Sequence, residues 1–353
     1  MRLSAIVVAF GKEALLEDCL SALGEALARV DGETELIVVL NDVSEAVRER
    51  VQRRVPRVVT VEGSPSLGFA AGVAAGLSRA QGEWIALVND DCVLAPDALD
   101  EMLATGERHP DAGSVAAQIR FAGKPYTLNS AGIEIDDLGV ARERGLGEPA
   151  VSAEAEAVDV FGASAALGLY RRAMLESVGG PDVSFFAYLE DADLAWRARM
   201  AGWTCVLAPR SAAAHHHSAT LGHGSKAKHL LVGRNRVRML AKNAAGRHLR
   251  RKLVQIVLYD LLYVAYAAAA DRTLGPLVGR LRGLREWRTY RAAGRPHRRE
   301  ITLSASPGVR GALRRRRAYR SVSSGATPVA AGATHRQEHA GGRQGDARRP
   351  SIR

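Results

Sequence analysis

Short apolar runs alternate with helical patterns along the first hundred residues, and this alternation limits the folds that the chain can adopt. Two successive runs with the helix between them form a βαβ unit, which predicts a parallel sheet with helices on both faces. The predicted strands are 3–9, 36–40, 57–61 and 84–88, and the predicted helices are 15–23, 43–51 and 69–80. Ligands of such sheets bind at the carboxyl ends of the strands, so the following loops should carry the chemistry.

The whole sequence divides into three regions. Residues 1–222 are predicted to form the α/β domain, 223–294 a basic helical region, and 295–353 a disordered tail, because large apolar residues become rare there. Further predicted elements are a helix at 96–108, a strand at 113–120, two short strands within 127–148, helices at 171–178 and 190–201, and a short strand at 203–207.

Charge is distributed unevenly along the chain. Residues 1–220 contain 19 Lys and Arg against 32 Asp and Glu, a net charge of −13. Residues 221–353 contain 30 Lys and Arg against 6 Asp and Glu, a net charge of +24. The second part is therefore expected to meet a polyanion, either nucleic acid or an anionic membrane.

The cysteines and the N-terminus favour a reducing, intracellular setting. The three cysteines lie far apart without a CxxC spacing, so neither a structural zinc site nor a disulfide framework is expected. Arg2 precedes only a short apolar run with no small-residue cleavage site after it. A buried first strand explains this run better than a signal peptide.

The segment Asn89-Asp90-Asp91 follows directly on a predicted strand. Carboxylate oxygens on a tight turn suit Mg²⁺ or Mn²⁺ that bridges a diphosphate, because hard cations prefer oxygen ligands. The alternative is a polar turn or a helix cap before Pro96.

A second acidic segment, E-D-A-D-L at 190–194, opens a predicted helix after several aromatic residues. Asp191 in the first turn could take the proton of an acceptor hydroxyl. The alternative is that these carboxylates only complement the helix dipole and that Asp193 pairs with Arg197 one turn later.

Two other stretches are weaker signals. Of the histidines at 215–217, at most two can reach a metal or a phosphate, and a solvated loop is the alternative. The stretch L-G-F-A-A-G at 67–72 opens a helix, where glycines permit an anion to approach the backbone. It is not a G-x-G-x-x-G fingerprint.

Together these motifs resemble those of the family-2 glycosyltransferases, which have the GT-A fold, a Rossmann-like and mostly parallel sheet with flanking helices. The resemblance covers residues 3 to about 245 and points to the rhamnosyltransferase-like branch that builds bacterial cell-surface glycans. The matching segments, in order, are I-V-V-A-F at 6–10, V-V-L-N-D-V-S at 38–44, the glycine stretch at 67–72, G-E-W at 82–84 leading to V-N-D-D at 88–91, F-G-A-S at 161–164 as an acceptor-side strand, E-D-A-D-L at 190–194, and His215.

This resemblance implies an inverting, metal-dependent transfer from a nucleotide-diphosphate sugar. Asp191 would be the catalytic base, with Glu190 as runner-up base or helix cap, and Asp91 and His215 would hold Mg²⁺ or Mn²⁺. The implied donor contacts are Ala9, Phe10, Asn41, Asp42, Gly68, Gly72, Asn89, Asp90 and Arg234. Gly162 and Ala163 would leave room for the acceptor, although small residues on a strand are also ordinary packing.

Several positions depart from the family pattern. Ala9-Phe10-Gly11 replaces Ser-Tyr-Asn, Asn41 replaces the base-contacting Asp, and Ser66 and Ala74 replace asparagines. These changes suggest an altered donor choice or a weakened enzyme. The alternative function is an inactive GT-A core that binds a polyanion or a membrane. A nucleotidyltransferase is a further alternative, but no glycine- and lysine-rich phosphate loop is present.

The basic second part suggests a membrane surface as a partner. Residues 253–270 are mostly apolar but are interrupted by Gln255 and Asp260, which makes spanning a bilayer costly. Arginines alternate with leucines in 274–287, a pattern typical of helices that lie on anionic lipid. A plain helical subdomain is the alternative, and nucleic acid is not expected. The predicted location is the cytoplasmic face of the cell membrane, or the cytoplasm.

Overall fold

The structure is a computed structural model that describes residues 1–10, 13–41, 43–55, 57–60, 67–216, 225–294, 301–308 and 311. Its strands are β1 Leu3–Ala9, β2 Thr34–Leu40, β3 Arg57–Thr60, β4 Trp84–Asn89, β5 Cys92–Leu94, β6 Ala112–Phe121, β7 Lys124–Ser130, β8 Ile133–Ile135, β9 Ala141–Glu143, β10 Val158–Asp159, β11 Leu167–Arg171 and β12 Thr204–His215. Its helices are α1 Glu13–Arg29, α2 Glu45–Arg54, α3 Phe69–Leu77, α4 Ala98–Arg108, α5 Arg172–Val178, α6 Glu190–Met200, α7 Lys226–Asn243, α8 Gly246–Ala270, α9 Gly275–Arg285 and α10 Trp287–Ala293.

The main sheet has the strand order β10-β12-β6-β11-β4-β1-β2-β3. β1 pairs in parallel with β2 and β4, and β2 pairs in parallel with β3, so the predicted βαβ core is confirmed. β11 runs antiparallel to its neighbours β4 and β6, which makes the sheet mixed. The register places Ala9 beside Leu40 and Val8 beside Asn89. The loops after β1, β2 and β4 therefore begin at one edge of the sheet.

Every residue of β1 is buried, because helices cover both faces of the sheet at this strand. Leu3, Ala5 and Val7 pack in one apolar cluster with side chains of α1 and α4. Ile6 and Val8 point to the other face and pack in a second cluster that includes α3. This double burial explains why the first strand reads as a continuous apolar run without alternation.

Glycines in α3 let this helix lie directly on the sheet. A Cβ atom at Gly72 would stand 2.6 Å from Val8 Cγ1, and one at Gly76 would stand 2.5 Å from Ile6 Cγ2. This close contact fixes the start of α3 near the carboxyl ends of the parallel strands. Packing on β1 is thus the role of Gly72 in the structure, and its contact with a donor stays a prediction.

Two strand predictions are wrong. The short strand predicted at 203–207 continues to His215, because after an irregularity between Ala208 and Ala212 it pairs again with β6 and also with β5. Residues 161–164 do not form the expected strand, since Gly162 makes only an isolated bridge to Ile133 and the strand begins at Leu167.

Part of the predicted disordered tail has a defined position. The Ser304 carbonyl oxygen accepts a hydrogen bond of 2.8 Å from the Asp137 N–H, and Ile301 and Leu303 pack against the apolar cluster beneath α6 and α7. The expectation of disorder therefore fails for residues 301–308, because these two apolar side chains find cover on the domain.

We expect Gly76→Ala to lower the free energy of unfolding by about 1–3 kcal/mol, because the new methyl group would overlap the Ile6 side chain. Gly24→Ala in α1 is the control, since a Cβ there meets nothing within 4 Å. The control should raise the free energy by about 0.5–1 kcal/mol, as expected for Gly to Ala in a helix. Urea unfolding measures both, and equal stabilisation by the two variants would contradict the packing argument.

Candidate active site

The backbone of Phe10 and the carboxylate of Asp90 meet where β1 and β4 end. The Phe10 N–H donates a hydrogen bond of 2.7 Å to Asp90 Oδ2. Burial raises the pKa of Asp90 to about 7, although this N–H acts to lower it. Ala9, Phe10, Asn89 and Asp90, all predicted donor contacts, therefore meet at one place.

β12 carries His215 back to the turn that follows β4. His215 pairs in register with Cys92 of β5, and its Nε2 atom lies 2.9 Å from Asp91 Oδ1. Its Nδ1 atom lies 2.9 Å from Asn129 Oδ1, which can only accept, so Nδ1 carries a hydrogen. Burial acts to raise the pKa of Asp91, but the hydrogen bond and charge of His215 leave it below its ordinary value.

Asp91 and His215 together fit a divalent cation. Because Nδ1 keeps its hydrogen toward Asn129 Oδ1, Nε2 would bind a cation only after it releases the hydrogen that it shares with Asp91. Among the described residues, no group of three or more His, Cys, Asp and Glu side chains is arranged to hold a metal ion. A pair of protein ligands leaves other positions to water or phosphate oxygens, as is usual for Mg²⁺.

The loop before α6 has an uncommon backbone conformation. Phe186, Tyr188 and Leu189 have φ angles of 68°, 69° and 67°, in the left-handed region that residues other than glycine rarely occupy. Glu190 and Asp191 follow at once in the first turn of α6. Such a backbone persists only where the surrounding structure holds it in place.

α7 supplies this support through Asn235, whose side chain is fully buried. Asn235 Nδ2 donates to the carbonyl oxygens of Phe185, Ala187 and Tyr188 at 2.9, 3.0 and 2.8 Å. Arg234 donates a further hydrogen bond of 2.9 Å to the Phe185 carbonyl oxygen. Arg234 thus holds this loop, and the contact with a diphosphate expected from the sequence stays a prediction.

Three carboxyl groups, those of Glu143, Glu190 and Asp191, gather at the start of α6. Asp191 accepts hydrogen bonds from the N–H groups of Ala165 and Ala192 at 3.3 and 2.8 Å, and burial raises its pKa. Burial and the charge of Asp191 raise the pKa of Glu190 to about 8 and that of Glu143 to about 7. The two N–H groups act against this rise at Asp191, because they stabilise its ionised form.

Sequence reasoning missed Glu143 and Lys228. Glu143 ends β9 and its Oε1 accepts a hydrogen bond of 3.4 Å from Ser164, whose neighbour Ala165 donates to Asp191. Lys228 Nζ lies 5.1 Å from the centre of the Tyr188 ring; burial lowers its pKa, while Glu143 acts to raise it. No motif marks these two residues, because only the β8–β9 hairpin and the docking of α7 bring them here.

The start of α3 contacts the loop before α6. Gly68 has φ +82°, and a Cβ there would stand 2.5 Å from the Phe186 ring, so only glycine fits. Asn41 is buried and its Nδ2 donates to the Gly68 carbonyl oxygen at 3.2 Å. The predicted nucleoside loop and helix start are thus joined. Asp42, the remaining predicted contact of this loop, lies outside the described residues.

Gly162 does not leave open space as the sequence suggests. A Cβ atom there would overlap the Ala195 side chain of α6, so its missing side chain serves helix packing. Ala163 is buried and its carbonyl oxygen accepts a hydrogen bond of 3.3 Å from the Tyr170 hydroxyl. Ordinary packing explains both residues, and their contact with an acceptor stays a prediction.

Asp193 has a structural role in this arrangement. It is fully buried and accepts hydrogen bonds from Arg197 Nε at 2.8 Å, Lys242 Nζ at 2.9 Å and Asn243 Nδ2 at 2.8 Å. The predicted pair with Arg197 is therefore present. Of the carboxylates in the 190–194 segment, Glu190 and Asp191 remain for chemistry.

Comparisons with known proteins agree with this site. A family model described as "Glycosyltransferase like family 2" matches residues 2–230. The chain belongs to this family. A solved structure of GalNAc-T7 with UDP, GalNAc and Mn²⁺ superposes with a TM-score of 0.54 at 12% identity, over 69% of this chain and 48% of that one. The likeness is one of fold, and with the family match it confirms the predicted GT-A fold.

Two curated relatives of this family-2 member extend the comparison. The uncharacterized protein y4gI of Sinorhizobium fredii is 32% identical over 203 residues, which are 54% of this chain and 22% of that protein. The N-acetylglucosaminyl-diphospho-decaprenol L-rhamnosyltransferase of Mycobacterium tuberculosis is 26% identical over 242 residues, 62% of this chain and 78% of the relative. The chain thus spans only about a fifth of the first relative.

Replacing Asn235 by Asp should loosen the loop before α6 in this family-2 member. The new oxygen would face three carbonyl oxygens, and we expect a loss of at least about 2 kcal/mol in the free energy of unfolding. Gln255→Glu makes the same amide-to-acid change at an exposed position and should cost little. Urea unfolding with amide exchange of residues 186–189 measures the effect, and equal stability of the two variants would refute it.

Glu143→Gln should change how stability depends on pH. The pKa of Glu143 is raised to about 7 from 4.5, so its contribution is full below the unfolded pKa and is lost as pH rises to about 7. An amide does not titrate. The free energy of unfolding of the wild type should therefore fall by about 2 kcal/mol relative to that of Glu143→Gln between pH 5 and pH 8. Unfolding series at both pH values test this against the exposed control Glu156→Gln, and parallel wild-type and Glu143→Gln curves would contradict it.

Proposed function

We propose that this chain is an inverting glycosyltransferase that moves a sugar from a nucleotide-diphosphate donor to a hydroxyl of a cell-wall or lipid-linked glycan. One observation carries the proposal: the Ala165 N–H donates to Asp191 Oδ2 at 3.3 Å and the neighbouring Ala166 carbonyl oxygen accepts from the Asn89 N–H at 3.0 Å, so the candidate base lies beside the turn that carries Asp91. A site of this kind needs a base for the acceptor and stabilisation for the leaving diphosphate.

Asp191 is the proposed base. Its carboxylate takes the proton of the acceptor hydroxyl while that oxygen forms a bond to the anomeric carbon and the bond to the diphosphate breaks. Burial raises the pKa of Asp191, while the N–H groups of Ala165 and Ala192 stabilise its ionised form, the form that accepts a proton, and fix its direction. Glu190, with a pKa of about 8, holds its proton near neutral pH and is therefore the weaker candidate.

The other half of the site is proposed to hold the donor. Asp91 and His215 would bind Mg²⁺ or Mn²⁺, which supplies positive charge beside the departing diphosphate. Asp90, fixed by the Phe10 N–H, would contact the ribose or the metal shell. Lys228 offers a further positive charge beside the loop before α6.

The substrates are proposed from the relatives. The mycobacterial relative is named as a rhamnosyltransferase that acts on a decaprenol-linked sugar, which supports deoxythymidine-diphosphate-rhamnose as donor and a lipid-linked glycan as acceptor. Such a reaction would take place at the cytoplasmic face of the cell membrane. Asn41 keeps an amide oxygen that can accept from a pyrimidine N–H, in place of the usual carboxylate.

Thermal-shift binding of a nucleotide-sugar panel with and without Mn²⁺, followed by transfer assays, tests this proposal. One donor should raise the melting temperature only with the metal, and Asp91→Ala should lose that shift. Asp191→Asn should keep the shift but lose transfer by about 10²–10⁴-fold, the usual contribution of a general base.

Glu190→Gln is the matched control and should retain more transfer than Asp191→Asn. The opposite order would move the base to Glu190. A folded wild type that responds to no donor would instead favour an inactive GT-A core that binds a polyanion or a membrane.

A further inference from the structure

We infer that α8 and α9 form a docking face for a lipid bilayer that contains anionic lipid, with α8 lying along the bilayer surface. The inference deepens the proposed function, because it names the surface on which a lipid-linked acceptor would be presented. It rests on that function only for the acceptor, since bilayer binding is measured without donor or acceptor.

The docking face consists of large apolar side chains that no other described part of the chain covers. Val254 is 79% exposed and Leu261 is 60% exposed, far more than side chains of this type in a folded domain. Its members are Leu253, Val254, Val257, Leu258, Leu261 and Leu262 of α8, with Leu274 before α9 and Val278, Leu281 and Leu284 of α9. Exposed apolar areas of this extent mark interaction surfaces.

α8 has one exposed apolar side and one side that packs on the protein. At about 100° per residue, the exposed members of α8 fall on one arc, whereas Ile256 and Ala267, which are buried, lie on the opposite side. The same helix is long and apolar enough to cross a membrane by length and composition. One side of α8 already packs on protein, so its burial pattern favours a helix that lies on the bilayer surface over one that spans the bilayer.

Asp260, which interrupts the apolar run in the sequence, points to the protein side. Its Oδ1 accepts hydrogen bonds from Arg236 Nε of α7 at 2.8 Å and from Arg280 of α9 at 2.9 Å. These contacts leave the docking face free of carboxylates. Spanning would remove Asp260 from both arginines and place a charge in hydrocarbon, which is costly, so we assign α8 to the surface of the bilayer.

α9 packs on α7 in a way that turns its leucines outward. Gly279 and Gly283 stand at the contact with α7, where any side chain would overlap that helix. Arg280 lies between them, buried, and pairs with Asp260. Leu281 and Leu284 are consequently left on the exposed side of α9.

Charge identifies the partner as an anionic bilayer. Residues 225–294 contain 16 Lys and Arg against 3 Asp and Glu. Exposed arginines of this segment include Arg250, Arg251, Arg272, Arg282, Arg285 and Arg288. Exposed leucines and arginines on the same helices fit the acyl and headgroup regions of such a bilayer. A second copy of the chain would bring like charges together, and a nucleic acid would leave the leucines uncovered.

Vesicle co-sedimentation of the full chain tests this inference, with vesicles of phosphatidylcholine alone or with 30% phosphatidylglycerol. We expect binding to the anionic vesicles at least about tenfold stronger than to the neutral ones at low salt, since basic residues near the surface add attraction. Val254→Glu with Leu261→Glu should reduce that binding by about tenfold or more. Tyr126→Glu with Val158→Glu, which makes the same change at exposed apolar positions elsewhere, should not.

Three results would overturn the inference. An equal loss of vesicle binding in both double variants, or equal binding to anionic and neutral vesicles, would refute the proposed docking face. Protein that resists extraction at pH 11 would indicate a spanning helix. A wild-type dimer that Val254→Glu with Leu261→Glu converts to monomer, without vesicle binding by either, would assign the face to a second copy. Vesicle binding without sugar transfer would count against the proposed function alone.

Discussion

The hydrogen bonds from α7 to the loop before α6 are the interactions on which the candidate site depends. Asn235 lies beyond the residues that match the family model, yet its buried amide holds three carbonyl oxygens of that loop. The loop keeps its left-handed backbone and directs Glu190 and Asp191 only while these bonds persist. Helix α7 is therefore part of the structure that holds the candidate site.

The same helix connects the site to the docking face. Arg236, the next residue of α7, binds Asp260 of α8, and the glycines of α9 allow that helix to pack directly on α7. A single helix thus has one side on the loop with the candidate base and another on the helices proposed to meet lipid. This arrangement places a lipid-linked acceptor and the base on connected elements without requiring a spanning segment.

The three buried carboxyl groups at the start of α6 differ in their hydrogen bonds. Asp191 accepts hydrogen bonds from the N–H groups of Ala165, just before β11, and Ala192 of α6, whereas Glu143 and Glu190 each have a buried oxygen without a partner among the described residues. The charge of Asp191 raises the pKa of both glutamates, so the hydrogen bonds favour Asp191 as the charged group. The pair of Asp91 and His215 stays distinct, because the imidazole lowers the pKa of its neighbour.

The sequence by itself determined the parallel core, the order of its loops and the acidic segments at 89–91 and 190–194, because apolar periodicity and the position of polar residues after strands are local properties. Tertiary structure alone decided which side chains share a site. Glu143 reaches it from the β8–β9 hairpin and Asn129 from β7, both far in sequence from the first three strands, and Asn235 and Lys228 reach it from α7. The tertiary structure also places Asp260 on the protein side of α8 and packs Gly162 against α6. Such outcomes depend on contacts between elements distant in sequence, which no local pattern records.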